Sequence, residues 1–189
     1  MGVMDLNHVD LKLYRLNDRA GRVQTPEAFT ALYERTHLII FRYIYALHGE
    51  PQEDVEDLWL ETFLKAWRSR DSFSGNDEAA LGWLLHIARN LVIDRHRRKQ
   101  RNPIIALSDA ETIPAPHMDT PESRVLAKEQ AQALSKMLEV LPSQQREVVI
   151  LRYVVGWRVK EIAIHLHRPE NTVSVILRRA IARLSQSQE

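Results

Sequence analysis

The apolar residues of this chain recur at helical spacing from the first hydrophobic segment to the last, and no stretch alternates apolar and polar as a strand would. That periodicity predicts an all-α fold. Phe29, Leu32, Tyr33, Ile40, Tyr43, Ile44 and Leu47 follow the i, i+3, i+4 pattern of one buried face, and Gly49 and Pro51 then break the chain. Val55, Leu58, Trp59, Phe63 and Ala66 form a second stripe, which ends before the polar stretch 71–77. A third stripe, Leu81, Leu84, Leu85, Ala88, Leu91 and Val92, belongs to a helix that runs on into a basic cluster.

The pattern stops between Asn102 and Glu122. Pro103, Pro114, Pro116 and Pro121 punctuate this segment, and Asp109, Glu111, Asp119 and Glu122 make it acidic, as in an extended linker. Helical periodicity resumes with Leu126, Leu134, Met137, Leu138 and Leu141. Further helices are expected at about 144–154, 158–166 and 170–185, with Gly156 between the first two. The organisation expected is an N-terminal extension (1–26), a first helical domain (27–101), an acidic, Pro-containing linker (102–123) and a second helical domain (124–189).

The last two helices carry the sharpest local signal. Glu161, Ile162 and Ala163 lie on a short helix, His167-Arg168-Pro169 make a turn, and Val173, Leu177, Ala180 and Leu184 give the next helix one buried face. Small Ala163 permits a close crossing. Such a helix-turn-helix can place its second helix in a DNA major groove. The outer face offers Arg168, Asn171, Thr172, Ser174, Val175, Arg178 and Arg179, whose polar members suit base edges and phosphates. An ordinary pair of bundle helices is the alternative on this segment alone.

Charge supports a division of labour. The 26 Lys and Arg nearly balance the 25 Asp and Glu, for a net charge of +1. The balance conceals an acidic cluster (Glu50, Glu53, Asp54, Glu56, Asp57 and Glu61), the acidic linker and a basic second domain. Arg95, Arg97, Arg98, Lys99 and Arg101 crowd the end of the third helix. On that helix Asn90, Asp94, Arg97 and Arg101 share one stripe with Trp83 and Arg89 nearby, a mixture of amide, cation and aromatic groups that suits unpaired bases. A salt-bridged surface helix with Trp83 in the core would have the same composition.

Several classes are excluded or poorly supported. Without cysteine the chain has no disulfide, thiolate chemistry or cysteine-ligated zinc, which fits a cytosolic protein. No apolar run approaches the roughly 20 residues a bilayer requires, and the N-terminal Met1 to Leu11 has no signal-peptide core. Glycines form no phosphate cradle, so no cofactor is expected. The histidines read as surface or capping groups, since His165 and His167 point to different sides of a helix and no Glu/His spacing matches a zinc hydrolase. Asp54 and Asp57 lie in an exposed acidic run without a pocket signature, so an enzyme is not expected.

Taken in order, Glu56-Asp57-Leu58, Glu61-Thr62-Phe63, Ala66-Trp67, Trp83-Leu84, Ile87-Ala88-Arg89-Asn90, Ile93-Asp94 and Arg97-Arg98 resemble the first domain of an extracytoplasmic-function (ECF, group IV) sigma factor of bacterial RNA polymerase. Leu141-Pro142, Gln145-Arg146, Leu151-Arg152, Gly156, Glu161-Ile162-Ala163, Thr172-Val173 and Arg179-Ala180 resemble its second. The resemblance covers about residues 27–185, with the linker where that family has one.

It implies a non-catalytic, cytoplasmic initiation factor whose partners are core polymerase, promoter DNA and an anti-sigma factor. Asp54, Asp57, Leu60 and Glu61 would meet the polymerase clamp. Ser74 and Asn76 in the polar loop would receive a flipped base. Trp83, Arg89, Asn90, Asp94, Arg97, Arg98 and Arg101 would hold the melted −10 strand, and the last helix would read the −35 element. Leu60 replaces the family's usual Gln on the polymerase-facing helix. Asn171 replaces its usual Gly, and Ser174 and Ile176 its usual basic residues, so an atypical −35 sequence or weaker reliance on −35 contacts is expected. The rival readings are a stand-alone helix-turn-helix regulator of duplex DNA and an interaction protein that turns sigma-like surfaces to another partner.

Overall fold

The computed structural model describes residues 23–49, 51–101 and 132–187, the side chains of residues 77 and 78 excepted. Its elements are α1 (Pro26–His48), α2 (Gln52–Ser69), a 3-10 turn (Arg70–Ser72), α3 (Asp77–Arg101), α4 (132–138), α5 (Ser143–Tyr153), α6 (Val159–His165) and α7 (Glu170–Gln186). Every described element is helical, as the periodicity predicts, and helix ends lie within a residue or two of those expected. The linker, and residues 1–22 of the N-terminal extension, lie outside the described residues.

α1 starts where its capping chemistry dictates. The Thr25 hydroxyl accepts the Ala28 N–H at 3.2 Å, and Pro26 takes the first helical position, where no N–H is needed. It ends at Gly49, whose φ of 83° favours glycine. α1, α2 and α3 pack on one another. Leu32, Ile40, Tyr43, Ile44, Leu58, Leu84 and Leu85 are at most 1% exposed. Each such aliphatic side chain contributes about 1.5–3 kcal/mol by leaving water. Buried Thr36 and Thr62 satisfy their hydroxyls by donating to Leu32 O and Leu58 O, both at 2.7 Å. The packing begins earlier than the expected boundary: Val23 is 2% exposed, and the Gln24 side-chain amide donates to Phe73 O at 3.2 Å.

In the second unit Leu138, Ile150, Leu151, Ile162, Val173 and Ala180 are buried to 0% exposure. The Arg146 guanidinium donates to Leu138 O at 3.1 Å and to Glu139 O at 3.3 Å, tying the end of α4 to α5. The turn between α6 and α7 is a Schellman closure. His167 takes a left-handed φ of 52°, Arg168 N–H donates to Ala163 O at 2.9 Å, and His167 N–H donates to Ile164 O at 3.2 Å. Ala163 sits buried at the crossing, and Pro169 caps α7.

The two units meet along a seam in which α1 packs on α5. From α3 the seam takes Gly82, His86 and Arg89, opposite Trp157, His165 and Glu147. Gly82 faces the Trp157 ring so closely that a Cβ there would lie 3.8 Å from it. The His86 and His165 rings lie edge to face, 6.4 Å apart.

Candidate nucleic-acid interface

Three helical faces carry the residues expected to act. On α3, Asn90, Asp94, Arg97 and Arg101 are all exposed along one stripe, and Arg98 is exposed beside them. Arg97 and Asp94 are 3.8 Å apart, a solvated pair that leaves the arginine able to exchange partners. Trp83 is neither wholly core nor free. It is half-buried and stacks on Phe73, with ring centroids 4.8 Å apart and planes 26° apart. This stack lies next to the loop holding Ser74 and Asn76, both exposed.

Arg89 departs from the others. One position before Asn90, it is turned by about 100° around the helix and points into the seam. Its Nε and Nη2 both donate to the Glu147 carboxylate, the second at 3.3 Å. Glu147 in turn accepts the Tyr43 hydroxyl at 3.4 Å. The Glu147 hydrogen bond holds the Arg89 guanidinium above its ordinary value. Burial, with the Glu147 charge second, pushes the Tyr43 phenol well up. Nothing local in the sequence points to Glu147, which immediately precedes the apolar run 148–151.

Asn76 is also engaged. Its Oδ1 accepts Ala79 N–H at 2.9 Å, which makes it the N-cap of α3 and leaves its amide NH2 exposed. An Asn just before a helix is the sequence signal for this role.

On α2 the acidic run is less exposed than expected. Asp54 binds Arg95, Lys99 and, at 3.4 Å, His48. Burial alone would raise its carboxyl, but the Lys99 hydrogen bond and the Arg95 charge outweigh that and hold it below the usual value. Asp57 and Glu61 remain open, with side chains 46% and 45% exposed, although Glu61 reaches Lys65 at 3.3 Å and Asp57 lies 4.0 Å from Arg95. Leu60 is half-buried and, with Pro26, Phe29, Thr30, Phe63, Leu64 and Trp67, lines a shallow apolar groove.

On α7, Asn171, Ser174, Val175, Arg178 and Arg179 are exposed, as is Arg168 in the turn, while Thr172 is half-buried. Val173 and Ala180 are buried on the opposite face. The helix therefore divides as its sequence predicts.

Two histidines differ from the surface reading. His48 is 7% exposed, and burial together with the nearby His96 pushes it down to about 4 despite Asp54. His165 packs its ring 5.0 Å from Trp157 with a buried, unpartnered Nε2. Burial, then the charges of His86, Arg89 and His167, push it down to about 4 as well. Among the described residues no three acidic or histidine side chains converge as metal ligands, and no helix is long and apolar enough to cross a membrane.

Known proteins share this arrangement. The family model Sigma-70 region 2 matches residues 32–102, and Sigma-70, region 4 matches residues 131–184. The ECF RNA polymerase sigma factor BldN of Streptomyces coelicolor is 31% identical over 91% of this chain, which spans 65% of that relative's length. The ECF RNA polymerase sigma-E factor of Salmonella typhimurium is 32% identical over 71% of each chain. The fold matches CnrH, solved with the cytosolic domain of CnrY, at a TM-score of 0.64 and 23% identity over 89% of this chain and 96% of CnrH. It also matches RpoE of Bartonella quintana, solved with the anti-sigma factor NepR, at a TM-score of 0.63 and 23% identity over 85% of this chain and 96% of RpoE. Two sigma-70 regions in order, on helices whose exposed faces carry amides and arginines, place this chain in the ECF RNA polymerase sigma factor family.

Proposed function

We propose that this chain acts in the cytoplasm as an alternative sigma factor. It binds core polymerase and directs initiation by recognising and melting a −10 element and reading a −35 element. The observation that carries this reading is the pairing of a strand-suited face on α3 with a duplex-suited face on α7, in a chain matched by both sigma-70 regions.

On the first unit, Asn90, Asp94, Arg97, Arg98 and Arg101, with the Phe73–Trp83 stack, would hold the non-template strand. Planar bases stack on aromatic rings, and arginines hold the phosphates between them. Ser74 and the free amide of Asn76 flank a position for one flipped base. On the second unit, Arg178 and Arg179 would contact the −35 groove or its phosphates, helped by Arg168, Asn171 and Ser174. Asp57, Glu61 and Leu60 would form the polymerase contact, where complementary charge raises docking rate and fixes orientation. The chain supplies binding energy to open the duplex, and bond formation stays with the polymerase. An anti-sigma partner follows from the same reading; the RpoE chain that shares this fold was solved bound to one.

Reconstitution with purified core enzyme on a promoter library tests the proposal. Specific open-complex formation supports it. Failure to bind core, together with tight binding to duplex DNA alone, would instead identify a stand-alone regulator.

A further inference from the structure

The seam between the units combines apolar packing with buried charge. Its centre is an ion pair, Arg89 to Glu147, bound in two-point fashion and closed from the side by the Tyr43 hydroxyl. The partners lie 58 residues apart in sequence and come from different units. Tyr43 is 0% and Glu147 7% exposed, so closure desolvates the carboxylate almost completely. Around the pair lie His86 against His165, Trp157 over Gly82, and Ser135 Oγ, which lies 3.6 Å from a Cβ position on Gly49. An ion pair of this kind sets register while contributing little net stability of its own, because desolvation offsets most of the Coulombic attraction.

Arg89 immediately precedes Asn90, the first residue of the strand-suited stripe. A carboxylate and a phosphate present a guanidinium with the same chemistry, two anionic oxygens in one plane. We propose that Glu147 is an intramolecular competitor of single-stranded DNA for Arg89. In the closed arrangement the carboxylate occupies the guanidinium, and strand binding and separation of the two units favour each other. This deepens the reading of Arg89 as a strand contact and rests on it. Coupling of this kind is reciprocal, so whatever opens the seam strengthens strand binding by the factor with which the strand favours opening.

The absence of cysteine makes the test clean, since a labelled pair introduced at exposed Glu34 and Arg183 has no background. Spin-label distances across the chain should be narrowly distributed. Glu147→Gln, nearly isosteric, should add a longer, broader population and tighten binding to a short mixed-sequence single-stranded oligonucleotide by roughly threefold or more. Arg89→Ala should open the seam equally but lose that gain. The double exchange Arg89→Glu with Glu147→Arg should restore the narrow distribution while leaving strand affinity low. If Glu147→Gln fails to fold, Tyr43→Phe, which removes only the hydroxyl, should shift distance and affinity in the same direction. Unchanged distances, or an opened seam with unchanged strand affinity, would overturn the proposal. These readouts need no polymerase, so failure of the core-binding experiment would leave this result standing and separately interpretable.

Discussion

The Asp54 carboxylate on α2 is bound by the Arg95 guanidinium of α3, 41 residues further along the chain. Lys99 and His48 share the same carboxylate, so one acid of the expected polymerase contact ties down two of the five cations at the basic end of the third helix.

Asp54 and its neighbours should therefore separate by experiment. Asp54→Asn removes the negative charge and one of the two acceptor oxygens shared by two cations and a buried histidine, and should lower unfolding stability by about 1–3 kcal/mol. Asp57→Asn and Glu61→Gln alter exposed groups and should change stability by less than about 0.5 kcal/mol while slowing association with core polymerase. Urea titrations paired with association kinetics on the three variants check this. An Asp54 variant of unchanged stability would contradict the assignment.

Stability should fall on acidification below neutral pH. His48 and His165 are held near 4, below the roughly 6.5 of an unfolded imidazole. Between those values the unfolded chain binds protons that the folded chain refuses, so stability is full above about pH 6.5 and drains as pH falls towards 4. Each histidine contributes a slope of at most about 1.4 kcal/mol per pH unit. His96, lowered mainly by burial and by Lys99, adds in the same direction. Denaturant midpoints at pH 7 and pH 5 measure the loss. His165→Leu should flatten the dependence, whereas an identical slope in that variant would remove His165 from the account.

Asn76 has two roles to disentangle. Asn76→Ala removes the cap on α3 and should cost about 1 kcal/mol. Asn76→Asp keeps the acceptor, so stability should persist while the added negative charge weakens strand binding. Thermal unfolding and oligonucleotide affinity on both variants decide it, and equal destabilisation by the two would exclude the capping role.

Arg179 is exposed on α7, on the face away from buried Val173 and Ala180. Arg179→Ala should weaken promoter binding by about 1–3 kcal/mol if it reads a base edge. If it holds a phosphate, the loss should be similar on all sequences and reduce the salt dependence by about one ion. Binding isotherms at several salt concentrations on two promoters distinguish these. Unchanged transcription would take Arg179 off the DNA face.

The amino-acid order alone determined the seven described helices, the breaks at Gly49 and Gly156, and the two faces of α7. These depend on short-range spacing and capping, which a linear reading can follow. It also determined the family, because the sigma-like motifs fall in register. Only the tertiary structure decided which charges stay free. Arg89 and Asn90 are neighbours in sequence, yet one turns inward to Glu147 and the other faces solvent. Asp54 and Asp57 sit one turn apart, yet the first is held by two cations and the second remains largely exposed. His48 and His165 are polar by composition but packed by position. The physical reason is common to all: ion pairing and desolvation depend on where helices cross, and those crossings join residues 41 or 58 positions apart.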